Sequence, residues 1–173
     1  TNLNGGHLVV GSNTALGTGA VNVNGPASLD ATTNVSLANG VNIATGTTLT
    51  LGGSNALALS GSMTGGGGLV KNGPATTTLT GVNTYTGGTT ITAGTLTIGA
   101  GGSLAATGAV NLAGAGAALD LSGATGAQSI GALSGVAGTN VNLGHNALTL
   151  GGTASGTFSG AIGGTGNLTL AGT

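Results

Sequence analysis

Gly94-Thr95-Leu96-Thr97-Ile98-Gly99 lies over Gly6-His7-Leu8-Val9-Val10-Gly11, and the likeness continues on both sides. Thr107-Gly108-Ala109-Val110-Asn111-Leu112 lies over Thr18-Gly19-Ala20-Val21-Asn22-Val23, and Leu119-Asp120 over Leu29-Asp30. Residues 1–30 thus match 89–120 with one-residue slips. Further on, Phe158-Ser159-Gly160-Ala161-Ile162 lies over Leu59-Ser60-Gly61-Ser62-Met63. Each matched run is short and glycine-bounded. Apolar residues in it alternate with small polar ones, which puts the apolar members on one face of a strand.

The same alternation fills the rest of the chain. Val35-Ser36-Leu37, Val41-Asn42-Ile43, Leu49-Thr50-Leu51, Leu57-Ala58-Leu59, Val141-Asn142-Leu143 and Leu168-Thr169-Leu170 are examples. Thr and β-branched residues favour strands. Asn-Gly pairs at Asn4-Gly5, Asn24-Gly25, Asn39-Gly40 and Asn72-Gly73 mark turns. No segment carries helical periodicity. Such strands suit a sandwich, a barrel or a solenoid, and internal repetition selects the solenoid. The copies are spaced 88 to 99 residues apart. That divides into about four coils of about twenty residues each, within the range of solenoid repeats. The sequence therefore predicts an all-β, right-handed parallel β-helix (β-solenoid) of about eight coils, the hand following from the crossover rule. At roughly 4.8 Å per stacked strand the rod is about 35–40 Å long. Residues 1–173 form one segment, with a first unit at 1–88 truncated at its start and a second at 89–173 truncated at its end.

Composition agrees. Of 173 residues 40 are glycine, hydrophobic residues make up 39% and charged residues 2%. Disorder pairs low hydrophobicity with high charge, the opposite balance. Tyr85 and Phe158 are the only aromatics, so burial falls to Leu, Val, Ile and Ala. A thin core repeated many times uses such residues better than one thick core. Lys71 is the one basic residue, which cannot neutralise a phosphate track, so no nucleic-acid partner is expected. There is no apolar run long enough for a transmembrane helix and no signal peptide at Thr1. The segment reads as a piece whose address lies elsewhere. Cysteine is absent, which leaves no disulfide framework.

Residues 65–99 read GGGGLVKNGPATTTLTGVNTYTGGTTITAGTLTIG. This stretch resembles the passenger-associated transport repeat of bacterial autotransporters, also called the autotransporter-associated β-strand repeat. That pattern has a Gly-rich start, Leu-x-Lys-x-Gly, Thr-Leu-Thr, Asn-x-Tyr-x-Gly-Gly-Thr-Thr and Ala-Gly-Thr-Leu. Leu69, Lys71, Gly73, Thr78, Leu79, Thr80, Asn83, Tyr85, Gly87, Gly88, Thr89, Thr90, Ala93, Gly94, Thr95 and Leu96 fall in place. Pro74-Ala75-Thr76 departs from the usual Gly-Thr approach, and Leu170 stands where Lys71 stands in the middle copy. Residues 1–11 resemble the tail of a preceding repeat and 156–173 the head of a following one. The resemblance implies a type V secretion passenger: a right-handed β-helix carried across the outer membrane by a translocator barrel outside this segment.

The ionisable residues are few enough to weigh singly. Asp30 and Asp120 occupy matched positions in the two copies. Paired carboxylates could do acid–base work if adjacent, but four coils put them about 20 Å apart. Each is expected to face outward between inward neighbours. His7 and His145 match Thr95 and Ser54, which suggests surface turns, with no Glu or Cys to complete a metal site. Lys71 is expected to be a solvated charge guarding the solenoid surface. The runs Gly65–Gly68 and Gly163–Gly166 lack Gly-Lys-Ser/Thr and a following helix, so they read as turns. Phe158 is expected in the core, and Tyr85 either packs in or clasps a turn. No catalytic, cofactor-binding or metal residues are expected, and no enzyme activity.

The leading expectation is a structural stalk or adhesin segment at the bacterial surface or secreted, meeting a host surface, a neighbouring cell or extracellular matrix. A second is a self-assembling fibre subunit, because a solenoid exposing strand edges at both ends invites end-to-end stacking. A third is an ice-type surface binder using outward threonines such as Thr76-Thr77-Thr78 and Thr89-Thr90.

Overall fold

The computed structural model describes residues 1–152 and 155–172 and contains strands and turns, with no helix among them. Successive strands do not pair with each other. Each pairs with the strand one coil further along, and every pairing is parallel. The chain therefore winds as a three-faced parallel β-solenoid of about eight turns, as the sequence predicts.

The first face holds β1 (Asn2–Leu3), β3 (Val21–Val23), β6 (Val41–Ile43) and β9 (Met63–Thr64). Its ladder thins to a single bridge, Val82 to Ser103. It resumes as β16 (Gln128–Ile130), β19 (Leu148–Leu150) and β21 (Leu168–Leu170). The second face stacks β2 (Gly6–Val10), β4 (Ala27–Ala31), β7 (Thr48–Leu51), β10 (Gly68–Lys71), β12 (Thr89–Ile91), β14 (Ala109–Leu112) and β17 (Ala132–Gly135). The third stacks β5 (Val35–Leu37), β8 (Leu57–Leu59), β11 (Thr76–Leu79), β13 (Thr95–Ile98), β15 (Ala118–Asp120), β18 (Asn140–Asn142) and β20 (Ala161–Gly163).

Register fixes the core. Gly6 pairs with Ala27, Ala27 with Leu49, Leu49 with Leu69 and Leu69 with Thr89, so a coil takes 20 to 22 residues there. On the third face the step varies from 19 to 23. Turns absorb the difference and leave the ladders intact. Because side chains alternate with period two, every coil points the same members inward. On the third face Leu37, Leu59, Leu79 and Ile98 form one buried column. On the first, Val21, Val41 and Met63 form another. One coil alone could not cover such residues. Stacking buries them and satisfies the backbone in the same step.

One expectation needs correction: matched residues in the two copies lie on different faces, Asp30 on β4 of the second face and Asp120 on β15 of the third. All three faces use the same apolar-polar-apolar strand followed by a glycine turn. The sequence likeness therefore recurs at each face, and a self-match can slide by one. Strand edges are free at both ends, β1 and β2 at one and β20 and β21 at the other, but the first coil departs from the pattern. The first coil has no third-face strand. Residues 12–19 turn there instead, through Ala15 N to Ser12 O and Gly17 N to Thr14 O, and Leu16 packs on the core. Asn13 accepts from the N–H of Ser36 on the otherwise open edge of β5.

Candidate functional site

The motif of residues 65–99 is where chemistry-bearing side chains gather, and the fold turns nearly all of them inward. Lys71 ends β10 at the inward position between Leu51 and Ile91, its ladder partners. It is fully buried, which corrects the expected solvated charge. Period two decides this: Leu69 and Lys71 share a face, and Leu69 is a core residue. The Lys71 Nζ donates to the carbonyl oxygens of Gly73 at 2.6 Å and Ala93 at 3.3 Å. It thereby ties one corner to the same corner a coil later. No carboxylate pairs with it among the described residues. Burial holds its pKa below the ordinary value of 10.5.

Asn83 fills the gap where the first-face ladder thins. Its Oδ1 accepts from the Met63 N–H at 2.9 Å, and its Nδ2 donates to Gly81 O at 3.0 Å and Ser103 O at 2.7 Å. One side chain thus spans three successive coils. Two residues on, Tyr85 is wholly buried, and its hydroxyl shares a 2.6 Å hydrogen bond with Thr89 Oγ1. Burial pushes its pKa up to about 12, against the lowering effect of that bond. Tyr85 therefore packs in. Gly94, at φ +67°, is required at its turn, since a Cβ there would overlap the backbone carbonyls of Gly73, Pro74 and Ala75.

Other internal amides do the same work, and sequence reasoning missed them. Asn39 Nδ2 donates to Gly17 O and Gly19 O. Gln128 donates to Gly102 O and Gly126 O and accepts from the Leu104 N–H. Asn146 donates to Leu121 O and Ala124 O. No buried side-chain nitrogen or oxygen among the described residues lacks a partner. The available signal was a lone Asn or Gln where the coil leaves one strand for the next.

The remaining ionisable residues lie outside the core. Asp120 sits between buried Leu119 and Leu121, as expected, and accepts from Ser122 N and Asn142 Nδ2, each at 3.0 Å. Four coils separate it from Asp30. His145 is in an exposed turn, with Nδ1 2.6 Å from Thr165 Oγ1. His7 is exposed too, but lies on β2 rather than in a turn. Its Nδ1 is 2.6 Å from Ser28 Oγ and its Nε2 4.0 Å from Asp30 Oδ2. This serine–histidine–aspartate set lies across the paired strands β2 and β4, at the edge of the second face. Among the described residues no three of His, Cys, Asp and Glu gather as metal ligands would. Phe158 is half-buried against the core, over Gly135.

The outward threonines also differ from expectation. Thr77 and Thr89 point inward and are buried. What stays outside on β11 is Thr76 and Thr78, paired with Thr95 and Thr97 of β13. The next partners are Ala118 and Asp120, so the threonine array is two rungs deep.

No curated protein and no solved structure matches the chain. A family model does match, that of the passenger-associated-transport-repeat, over residues 69–98. Those residues contain Lys71 and Asn83, whose side chains lock neighbouring coils together, with the buried Tyr85 and the Gly94 turn: the chain carries an autotransporter passenger repeat, folded as consecutive turns of a parallel β-solenoid.

Proposed function

We propose that this chain is a stalk or adhesin segment of a secreted autotransporter passenger, displayed at the bacterial cell surface, and that it acts as a scaffold without catalysis. The observation that carries this reading is where the repeat spends its polar side chains. Lys71 and Asn83 turn inward to join coils, and Tyr85 turns inward to bond Thr89 within its own coil. A residue set used for rigidity suits a spacer. The outside is built of Thr, Ser, Asn and Gly, with two Asp and two His as its ionisable side chains. Such a surface stays hydrated by hydroxyls and amides with little charge of its own. A scaffold needs only a stable rod whose turns vary freely, and coil steps of 19 to 23 residues supply that. Contacts with host cells, neighbouring cells or matrix would be made by such turns or by domains the rod carries.

The test is display on living cells. Antibody raised against the folded segment should label intact cells of the source bacterium, and external protease should remove the signal. Labelling that appears only after the cells are permeabilised would overturn the assignment.

A further inference from the structure

We infer that His7 and Asp30 form a two-residue site for a divalent transition-metal ion of the zinc class, on the outer side of the second face. The site is set by the ladder of β2 with β4 alone, so neither end of the rod enters it, and it is independent of the stalk reading.

Alternation puts both residues outside. Gly6, Leu8 and Val10 pair with the core residues Ala27, Leu29 and Ala31, which leaves His7 and Val9 on the outer side with Ser28 and Asp30. There the imidazole meets two neighbours on β4. Its Nδ1 lies 2.6 Å from Ser28 Oγ and its Nε2 4.0 Å from Asp30 Oδ2. Ser28 Oγ donates to the Gly6 carbonyl at 3.5 Å, which leaves it to accept the Nδ1–H. Nε2 then turns a bare lone pair toward a carboxylate oxygen. Two such atoms repel unless a positive charge sits between them.

The carboxylate is held as well as the ring. Its Oδ1 accepts from the Ala31 N–H at 2.6 Å, while Oδ2 faces Nε2. Its seat is the space over Gly53, where a Cβ would overlap it. A metal-bound histidine donates its other ring N–H to a fixed partner, and ligating carboxylates are hydrogen-bonded in turn. Ser28 and Ala31 meet both conditions. Imidazole with carboxylate suits Zn²⁺ and its transition-metal neighbours better than Mg²⁺ or Ca²⁺. A tetrahedral ion with bonds of about 2.1 Å holds two donors about 3.4 Å apart, which a small turn of the exposed imidazole supplies. Water fills the remaining positions. His145 is the internal contrast. Its Nδ1 also lies 2.6 Å from a hydroxyl, that of Thr165, but no carboxylate faces its ring among the described residues.

Titration of the chain with Zn²⁺ at neutral pH, followed through the imidazole NMR signals, would test this. The His7 signals should move and saturate at one ion per chain, and the His145 signals should stay in place. His7→Gln and Asp30→Asn should each weaken binding by at least about tenfold, and His145→Gln should leave it unchanged. Zn²⁺ should also raise the melting temperature of the parent and not that of His7→Gln. Far-UV circular dichroism identical to the parent would show that each variant is folded. Should Asp30→Asn unfold, His7→Gln, changed at an exposed side chain, carries the comparison. Absence of a saturable His7 shift overturns the site and leaves the pair as a proton-bridged contact. Equal shifts at both histidines overturn it in favour of adventitious binding to any exposed imidazole. An equal response to Mg²⁺ overturns it in favour of plain attraction to the carboxylate.

Discussion

At the residue scale, two buried ionisable side chains give the fold a pH dependence with opposite signs. Lys71 has its folded-state pKa below 10.5, so the unfolded chain binds the proton more readily. Stability therefore rises as pH climbs from the folded value toward 10.5. Tyr85 has its folded-state pKa near 12, above the ordinary 10.0, so the folded chain holds the proton longer and stability falls across that interval. The fall amounts to about 2 kcal/mol. Thermal melts between pH 7 and 12 should show the melting temperature rise and then drop. Lys71→Met should abolish the rise, and Tyr85→Phe the drop; a profile unchanged by either would refute the linkage. A second residue prediction concerns Gly53, whose φ is +87°. A Cβ there would overlap the Asp30 carboxylate, which lies over this glycine. Gly53→Ala should cost about 1–3 kcal/mol in denaturant titration, and less when Asp30→Ala is added.

At the scale of the element, the short strands are held by their neighbours. β9 has two residues and the first-face ladder then shrinks to one bridge. Asn83 makes up the shortfall with hydrogen bonds to three coils. Asn83→Ala leaves a buried N–H and two carbonyls without that partner, and a loss of about 2–4 kcal/mol is expected from chemical unfolding. Hydrogen exchange should report it locally, with the amide of Met63 losing protection before those of β7 or β11. Strand content, alternation and turn positions were legible in the sequence because each is a local property. The roles of Asn39, Gln128 and Asn146 were not, because all but one of their partners lie 20 to 26 residues away.

At the scale of the molecule, the coil is the unit of exchange. Thr48 pairs with Gly68 and Leu49 with Leu69, so deleting residues 49–68 joins Thr48 to Leu69 in register. That variant should fold as a rod one turn shorter, with cooperative melting and parallel-sheet circular dichroism. Deleting residues 49–58 removes half a turn, sends later strands to the wrong faces and should yield an aggregated or unfolded product in size-exclusion chromatography. Equal behaviour of the two deletions would show that coil register does not govern the fold.

The sequence by itself determined the strands, their apolar inward members, the parallel solenoid, the coil length and the passenger repeat. All of these are written in spacing, and spacing is local. Tertiary structure alone decided which face each strand joins, because three faces share one strand-and-turn pattern and nothing local tells them apart. It also set Lys71, which alternation already puts on the Leu69 face of β10, between Leu51 and Ile91 through the pairing of β10 with β7 and β12.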